Sequence, residues 1–385
     1  MNNDLLTLGV IGTSYMENEF RKPIFPKHFT KIDKALRKKI IVEKGYGENF
    51  SVKDDYIRSL VTDMKSREEI FENADIILLP KPTKKDYPFF KEGQIHWGWP
   101  HAIQGENITQ LAIDKKMTLI AWEAMNSWKN ENNREMHIFY RNNELAGHCA
   151  ILHSLQLKGF SGIYGPKMRV AVISFGSCSR GAVQALHGRG LTDITLFTQR
   201  PKYMIRDLIP VIKDHYQYEQ AEKGSKNCIV TSDDGTISTI GDILADYDII
   251  VNGILQDTDN PLIFMNNKEI EKMKPGSLIV DISCDEGMAF ECAKPTTFEN
   301  PTFKVANDIT YYSVDHTPSY SWHATSYEIS CALLPFIEIV MKGKEAWKEN
   351  NIIRKALEIQ DGQIINPKII SFQKRALKYP HKKQK

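Results

Sequence analysis

Short apolar runs closed by glycine, proline or polar clusters recur along the chain, and the stretches between them return apolar residues at helical spacing. LLTLGVIG, ending at Gly12, reads as a first strand, and Tyr15 to Pro26 as a polar loop carrying Arg21 and Lys22. Lys27–Lys38 predicts a helix, KKIIVEKG a strand with a turn at Gly45 and Gly47, and Val52–Phe71 a helical stretch. ADIILLPKPT, KEGQIHWGWPHAIQ and MTLIAWEAMN then read as three further strands, and NNELAGHCAILHSLQLKG as a helix leading into a second domain. There the alternation resumes with MRVAVISF (Met168–Phe175), a turn and helix, ITLFT, a helix over Ile205–Gln217, the short segment CIVTSDDG, a helix near Ile240, YDIIVNGI and GSLIVDISCDEG. From Thr325 a helix follows, which Pro335 kinks or restarts. Such alternation of β and α predicts an α/β fold built on parallel sheets.

The stretch from Val170 to Gly190, VAVISFGSCSRGAVQALHGRG, reads as a buried strand, a small-residue turn and the opening of a helix. Gly176, Ser177, Cys178, Ser179 and Gly181 would let a dinucleotide pyrophosphate approach backbone N–H groups at a helix N-terminus. A strict G-x-G-x-x-G would need glycine at Ser174 and Ser179. The next strand ends in Thr198, Gln199 and Arg200, with Lys202 beyond and no carboxylate where the 2′-OH of NAD would be read. A guanidinium suits a 2′-phosphate, which favours NADPH over NADH; solvated loop cations are the other reading. Asn252 and Gly253 end a later strand and would border the nicotinamide side, as would Asp281 and Asp285, although an aspartate there also caps helices.

Lys81, His101 and Glu123 each stand at or just past a predicted strand's carboxyl end, where open parallel sheets hold ligands. Taken singly, each has a plainer reading as a solvated lysine, a satisfied loop histidine or a helix-capping glutamate. Their common placement is what singles them out.

Composition narrows the class. A chain of 385 residues suggests two domains, and 42% hydrophobic with 25% charged residues describes a globular protein. A net charge of +2 offers no field for nucleic acid or an anionic membrane, and the basic tail KRALKYPHKKQK reads as a solvated terminus. The N-terminus lacks a basic region before a cleavable apolar core, and no run approaches membrane-span length, so a cytoplasmic location is expected. Six cysteines without a C-x-x-C pair argue against a zinc site or disulfide scaffold.

EFRKPIFP, EKGYG, DYPFFKEGQIHWGWPHAIQ, FGSCSRGA, VNGILQDTDNPLIF, GSLIVDISCDEG and YYSVDHTPSYSWHATSYEIS together resemble one family over nearly the whole chain. It contains alanine dehydrogenase, the lysine-forming saccharopine dehydrogenases and N5-(carboxyethyl)ornithine synthase, the last most similar in DYPFFKEGQ and GWPH. The resemblance implies two Rossmann-like domains with the active site in the cleft between them. Residues 1–145 with 325–385 would form the substrate domain and 146–324 the NAD(P)-binding domain. By the same resemblance Arg21 holds a keto-acid carboxylate, Lys81 and His101 are catalytic, Glu123 lies beside the substrate, Asp285 near the nicotinamide, and Asp315 matches the acidic residue of a DH-x-P motif. Two departures stand out: Ser174 replaces the first dinucleotide glycine, and Trp322 and His323 replace a proline-arginine pair.

The activity so implied is an NADPH-dependent reductive condensation of a 2-keto acid such as pyruvate with the side-chain amine of ornithine or lysine. Arg21 would take the carboxylate bidentately, and His101 with a desolvated Lys81 would move protons. A free ammonium donor needs no acidic anchor, so the spare carboxylates Glu123 and Asp315 favour an amino-acid donor. Saccharopine or alanine dehydrogenase chemistry, or a non-catalytic nucleotide sensor, are the alternatives. The expected partners are a small keto acid and an amino acid, with self-association left open.

Overall fold

A computed structural model describes residues 5–205, 208–232, 234–257 and 259–384. The chain forms two units, Met1–Tyr140 with Trp322–Lys385, and Arg141–Ser321. Sequence reading put these crossings at 145 and 325.

The first unit is organised on an eight-stranded sheet in the order Gln363–Ile364, Leu357–Gln360, Thr118–Ala121, Ile95–Gly98, Ile76–Leu78, Leu8–Val10, Ile40–Glu43, Asp63–Lys65. The six strands from Thr118–Ala121 to Asp63–Lys65 are parallel, and Leu357–Gln360 runs antiparallel against Thr118–Ala121. Five of the parallel strands are buried along their whole length, because helices cover both faces. Alternate residues serve opposite cores. Val42, Leu78, Trp97 and Ile120 face one, and Ile41, Ile77 and Leu119 the other. Each such aliphatic side chain contributes about 1.5–3 kcal/mol by leaving water.

The second unit carries a nine-stranded sheet in which six neighbouring strands, Ile212–Gln220, Asp193–Thr198, Arg169–Ile173, Ile249–Asn252, Leu278–Asp281 and Ile309–Tyr312, are parallel in that order. From Arg169–Ile173 the chain builds first to one side and then, from Ile249, to the other. The reversal puts a switch point between Arg169–Ile173 and Ile249–Asn252, where such sheets bind ligands.

Several expected elements differ. The helix expected over Ile205–Gln217 is instead a strand, Ile212–Gln220, parallel to Asp193–Thr198; Arg206 and Asp207 lie outside the described residues. In IKDHYQYEQ, Tyr216 stacks 5.3 Å from Phe197 and Tyr218 is buried, and pairing with a buried neighbour decides the segment's state. Lys27–Lys38 divides into a 3-10 turn, Pro26–Lys31, and a short helix, Lys34–Arg37, capped by Asp33, which accepts from the Ala35 N–H. Val52–Phe71 holds the edge strand Asp63–Lys65 between the helices Asp54–Arg58 and Arg67–Asn73, the latter opened by a Ser66–Glu69 capping box.

One helical run, Thr317–Met341, is long and apolar enough to cross a membrane among the described residues, contrary to the sequence expectation that none approaches that length. Pro335 divides it as expected, giving the helices Trp322–Leu333 and Ile337–Met341. Its apolarity serves the first unit's core, where Ile329, Leu333, Ile337, Val340 and Met341 are buried.

Candidate active site

In the first unit, Lys81, His101 and Glu123 follow Ile76–Leu78, Ile95–Gly98 and Thr118–Ala121, three neighbouring parallel strands, so the sheet brings them to one end. Backbone bonds from Trp99 N to Pro80 O at 2.6 Å and from Leu79 N to Trp97 O at 3.3 Å extend the pairing past two of these strands. Trp99 meets Trp122 edge-on at 4.6 Å, and Trp122 stacks on Phe139 at 4.9 Å, so rigid rings pack beneath these strand ends.

Glu123 ties the group together. Its Oε1 accepts the backbone N–H of His101 at 2.8 Å and lies 3.9 Å from Nδ1 of that ring. His101 adopts a positive φ of 49°, and half of its side chain is exposed. Burial holds the Glu123 carboxyl well above the usual carboxylate range, the nearby Glu358 charge adds to this, and the His101 N–H and the Lys81 ammonium oppose it.

Sequence reading did not single out Glu358. It sits on Leu357–Gln360, buried, and its Oε1 accepts from Asn366 Nδ2 at 3.2 Å. Burial raises its carboxyl too. The available signal was a lone carboxylate within the apolar run ALEIQ, but nothing local says that this strand pairs with the one leading to Glu123.

The loop after the first strand was expected to be polar and is instead buried at Glu19, Arg21 and Lys22. Glu19 pairs with the Arg21 guanidinium, accepting also from Nε at 2.8 Å, and the same guanidinium lies 5.1 Å from the centre of the Trp99 ring. Lys22 Nζ donates to the Gly12 carbonyl; burial lowers its pKa against the raising charges of Glu43, Glu48 and Glu19. Glu43 accepts from the N–H groups of Gly12 and Thr13 at 2.6 and 2.7 Å, so the strand end carrying this loop is fixed. Trp322 and His323 pack on Phe50 at 5.1 and 5.2 Å.

In the second unit, Gly176 caps the twelve-residue helix Ser177–Gly188, and a Cβ there would meet only Ser174 Oγ, at 3.9 Å. The Gly176 Cα is therefore not crowded on its side-chain face. The other small residues serve packing. A Cβ on Gly181 would lie 1.8 Å from the Glu144 carbonyl oxygen, and one on Gly253 would lie 2.5 Å from Ser179 Oγ. Ser179 is buried and donates to the Ile173 carbonyl at 3.2 Å, while burial pushes the Cys178 thiol up to about 11, leaving it unreactive.

At the end of the adjacent strand Thr198 Oγ1 donates to the Arg200 carbonyl, 2.5 Å, and lies 2.8 Å from His215 Nε2. The hydroxyl's one proton being used, His215 must donate from Nε2. Burial and then the Lys202 charge lower the His215 pKa, so Lys202 and His215 act on one another at the strand end that carries Arg200. His215 was overlooked because its segment was expected to be helical.

Asn252 is fully buried and donates to Asp281 Oδ1 at 2.8 Å; Tyr311 donates to Asp281 Oδ2 at 2.7 Å. Burial pushes Asp281 up to about 6. Asp285 is raised by burial and by the charge of Asp315, so the fold brings together two residues that sequence reading named separately. Asp315 accepts the His316 N–H at 2.7 Å.

The chain matches the family descriptions "Alanine dehydrogenase/PNT, N-terminal domain" over residues 13–146 and "Alanine dehydrogenase/PNT, C-terminal domain" over residues 212–367. It is 24% identical to N(5)-(carboxyethyl)ornithine synthase of Lactococcus lactis subsp. lactis (strain IL1403), across 84% of this chain and 94% of that protein. It is 23% identical to alanine dehydrogenase of Mycobacterium tuberculosis (strain ATCC 25618 / H37Rv), across 93% and 95%. Among solved structures an L-alanine dehydrogenase superposes with a TM-score of 0.77 at 19% identity, over 95% of this chain and 99% of that one. A transhydrogenase from Sinorhizobium meliloti gives 0.70 at 15%, over 94% and 99%.

Proposed function

The chain belongs to the alanine dehydrogenase/PNT family of NAD(P)-dependent oxidoreductases acting on amino-acid CH–NH donors, and from that premise we propose that it condenses a 2-keto acid with an amino acid's side-chain amine. The keto acid would be pyruvate, the amine that of ornithine or lysine, and the reductant NADPH. The observation that carries this reading is Glu123 beside Lys81 and His101 at the ends of three adjacent strands. Ammonia as donor needs no carboxylate there, whereas an amino acid has a cationic group to hold.

The residues fit a nicotinamide dinucleotide. Gly176, Ser177 and Cys178 offer backbone N–H groups at a helix N-terminus whose capping Gly176 is not crowded on its side-chain face, and Ser179, Gly181 and Gly253 allow the close packing beneath. Arg200, Lys202 and His215 would hold a 2′-phosphate, and Asn252 with Gly253 would border the nicotinamide end. When bound, the dinucleotide supplies a hydride to the imine carbon.

The chain's own groups do the rest. Arg21, held in place by Glu19, takes the keto-acid carboxylate. Lys81 Nζ donates to the carbonyl oxygen while the amine attacks. The His101 ring takes the proton that the attacking nitrogen releases and returns it to the departing hydroxyl, which leaves as water. Glu123 fixes the His101 backbone and would attract the donor's cationic end; Asp315 is proposed as an alternative acidic anchor and Asp285 as the residue that orients the reacting partners. The net change is one amine, one keto acid, one hydride and one proton converted to a secondary amine and water. The enzyme is proposed to work in the cytoplasm, which cell fractionation checks.

The test is oxidation of NADPH and NADH with pyruvate or 2-oxoglutarate against ammonia, lysine and ornithine, with mass analysis of the product. A carboxyethyl adduct formed from pyruvate and ornithine or lysine establishes the reading. Turnover with ammonia alone replaces it by alanine dehydrogenase chemistry, and a lysine–2-oxoglutarate adduct by saccharopine dehydrogenase chemistry.

A further inference from the structure

The antiparallel strand Leu357–Gln360, paired with the strand that leads to Glu123, carries a group that the proton transfers above do not use. Glu358 stands between Leu357 and Ile359, is 2% exposed, and has one satisfied oxygen, Oε1, on Asn366. That asparagine is itself fixed, because its Oδ1 accepts from Lys368 N at 3.0 Å as the N-cap of Pro367–Gln373. The second oxygen of Glu358, Oε2, is buried with no hydrogen-bond partner among the described residues. Glu123 repeats the arrangement: Oε1 accepts from His101, and Oε2 is buried and likewise unpartnered among those residues.

Two adjacent carboxyls, each with one satisfied and one orphaned oxygen, cannot both be ionised at low cost. A buried carboxylate oxygen without a donor loses its hydration, and the two negative charges repel. One proton resolves both difficulties, since a protonated carboxyl donates and its ionised neighbour accepts. We propose that Glu358 and Glu123 share a single proton at neutral pH, which makes Glu358 the positioning residue that sets the charge on the carboxyl holding His101.

The surroundings are consistent with one negative charge on the pair. Lys81 and His101 face Glu123, and His137 lies at the Glu123 backbone, its Nε2 3.0 Å from the Trp122 carbonyl. The Asn366 amide and the Ala102 backbone N–H both act as hydrogen-bond donors toward the Glu358 carboxyl and oppose the effect of its burial. Charges on the elements packed around this strand are engaged elsewhere: Glu106 with Lys383 at 2.5 Å, Asp114 with Gln110 at 2.8 Å, Arg354 with Glu131 at 2.8 Å, Lys355 with Glu131 at 3.3 Å and Asp361 with Lys344 at 2.7 Å. His381 accepts the Ile364 N–H at 3.1 Å. Both carboxyls are held above the usual range by burial. The pair therefore carries a net single charge until the shared proton is lost on the alkaline side, when its field at Lys81 and His101 doubles.

The effect on turnover rests on the dehydrogenase reading; the proton itself does not. Infrared spectra of the ligand-free protein with isotope-labelled glutamate, taken from about pH 5 to about pH 9, should show one protonated glutamate at neutral pH that is lost as pH rises. In E358Q the carboxamide can donate to Glu123, so that band should move to the ordinary carboxylate range. E123Q, which removes the other partner, should move it also and serves if E358Q does not fold. No protonated glutamate at neutral pH in the wild type, or a band unchanged in either folded variant, overturns the proposal. Since this measurement needs no turnover, failure to find a substrate pair leaves it intact. With turnover, the alkaline bend that loss of the shared proton gives the pH profile of kcat/KM should disappear in E358Q, a change that a merely structural role for Glu358 does not produce.

Discussion

The Thr198 hydroxyl accepts a hydrogen bond from His215 across 2.8 Å while donating its own proton to the Arg200 carbonyl. This chain of two bonds ties the Ile212–Gln220 strand to the loop that carries Arg200 and Lys202, the residues proposed above to hold a 2′-phosphate. Replacing Arg200 and Lys202 together by serine should raise the KM for NADPH roughly 10- to 100-fold, the loss of one or two charge-assisted contacts of about 1.5–3 kcal/mol. The KM for NADH should stay within about twofold. Initial rates with both dinucleotides check this; an equal loss for both removes the 2′-phosphate assignment.

Lys81→Met and His101→Ala should each lower kcat by about 10²–10⁴-fold, as expected for removal of a group that moves a proton. Both side chains lie in the first unit, outside the residues assigned to the dinucleotide, so its affinity should be unchanged. Turnover and nucleotide titration on the same preparations separate the two effects. Retained turnover would take both residues out of the chemistry.

Gly181→Ala should destabilise the second unit by about 1–3 kcal/mol, since the added carbon would meet a backbone oxygen that no rotamer change can move. Gly147→Ala should do the same, for its Cβ would lie 1.8 Å from the Cys178 carbonyl oxygen. Gly188→Ala, in the same helix as Gly181 but with nothing within 4 Å, should be neutral or gain about 0.5–1 kcal/mol from helix propensity. Denaturant midpoints of the three variants make the comparison.

Glu358→Gln should change stability with pH in a defined direction. The folded-state pKa of Glu358 is raised by burial, so the unfolded chain gives up this proton first as pH rises from about 4.5, and the wild type loses stability until the folded carboxyl has ionised as well. The glutamine has no such loss. Relative to the wild type, the variant should gain on the order of 2 kcal/mol between about pH 4.5 and about pH 8, since each tenfold difference in proton affinity between the folded and unfolded chain amounts to about 1.4 kcal/mol. Urea denaturation of both proteins at a series of pH values measures this, and a difference independent of pH would show that Glu358 ionises freely in the folded chain.

Much of the architecture was legible because fully buried parallel strands leave a plain mark: IILL, IHWG, TLIA and RVAVI are apolar on both faces and end in glycine, proline or polar residues. The same mark located Lys81, His101 and Glu123, since a polar residue just past such a run falls where the sheet opens. Edge elements carried no equivalent signal. Ile212–Gln220 is half-exposed and its alternation is broken by Lys213 and Asp214, so local pattern did not separate strand from helix and its pairing with Asp193–Thr198 decided. Nor did composition show that the Tyr15–Pro26 loop is buried, because Glu19, Arg21 and Lys22 satisfy their charges through partners the fold supplies.

The sequence by itself determined the alternating α/β class, the small-residue turn at Gly176 that opens a helix, and the candidate residues at strand ends, for these follow from local apolar periodicity and from the residues that terminate it. Tertiary structure alone decided which distant groups act on one another. The Glu358 charge acts on Glu123 because Leu357–Gln360 adds antiparallel to Thr118–Ala121, and His215 reaches Thr198 because a strand replaces the expected helix. The physical reason is that a charge or proton is governed by neighbours within a few ångströms, and long-range strand pairing, which no local pattern encodes, chooses those neighbours.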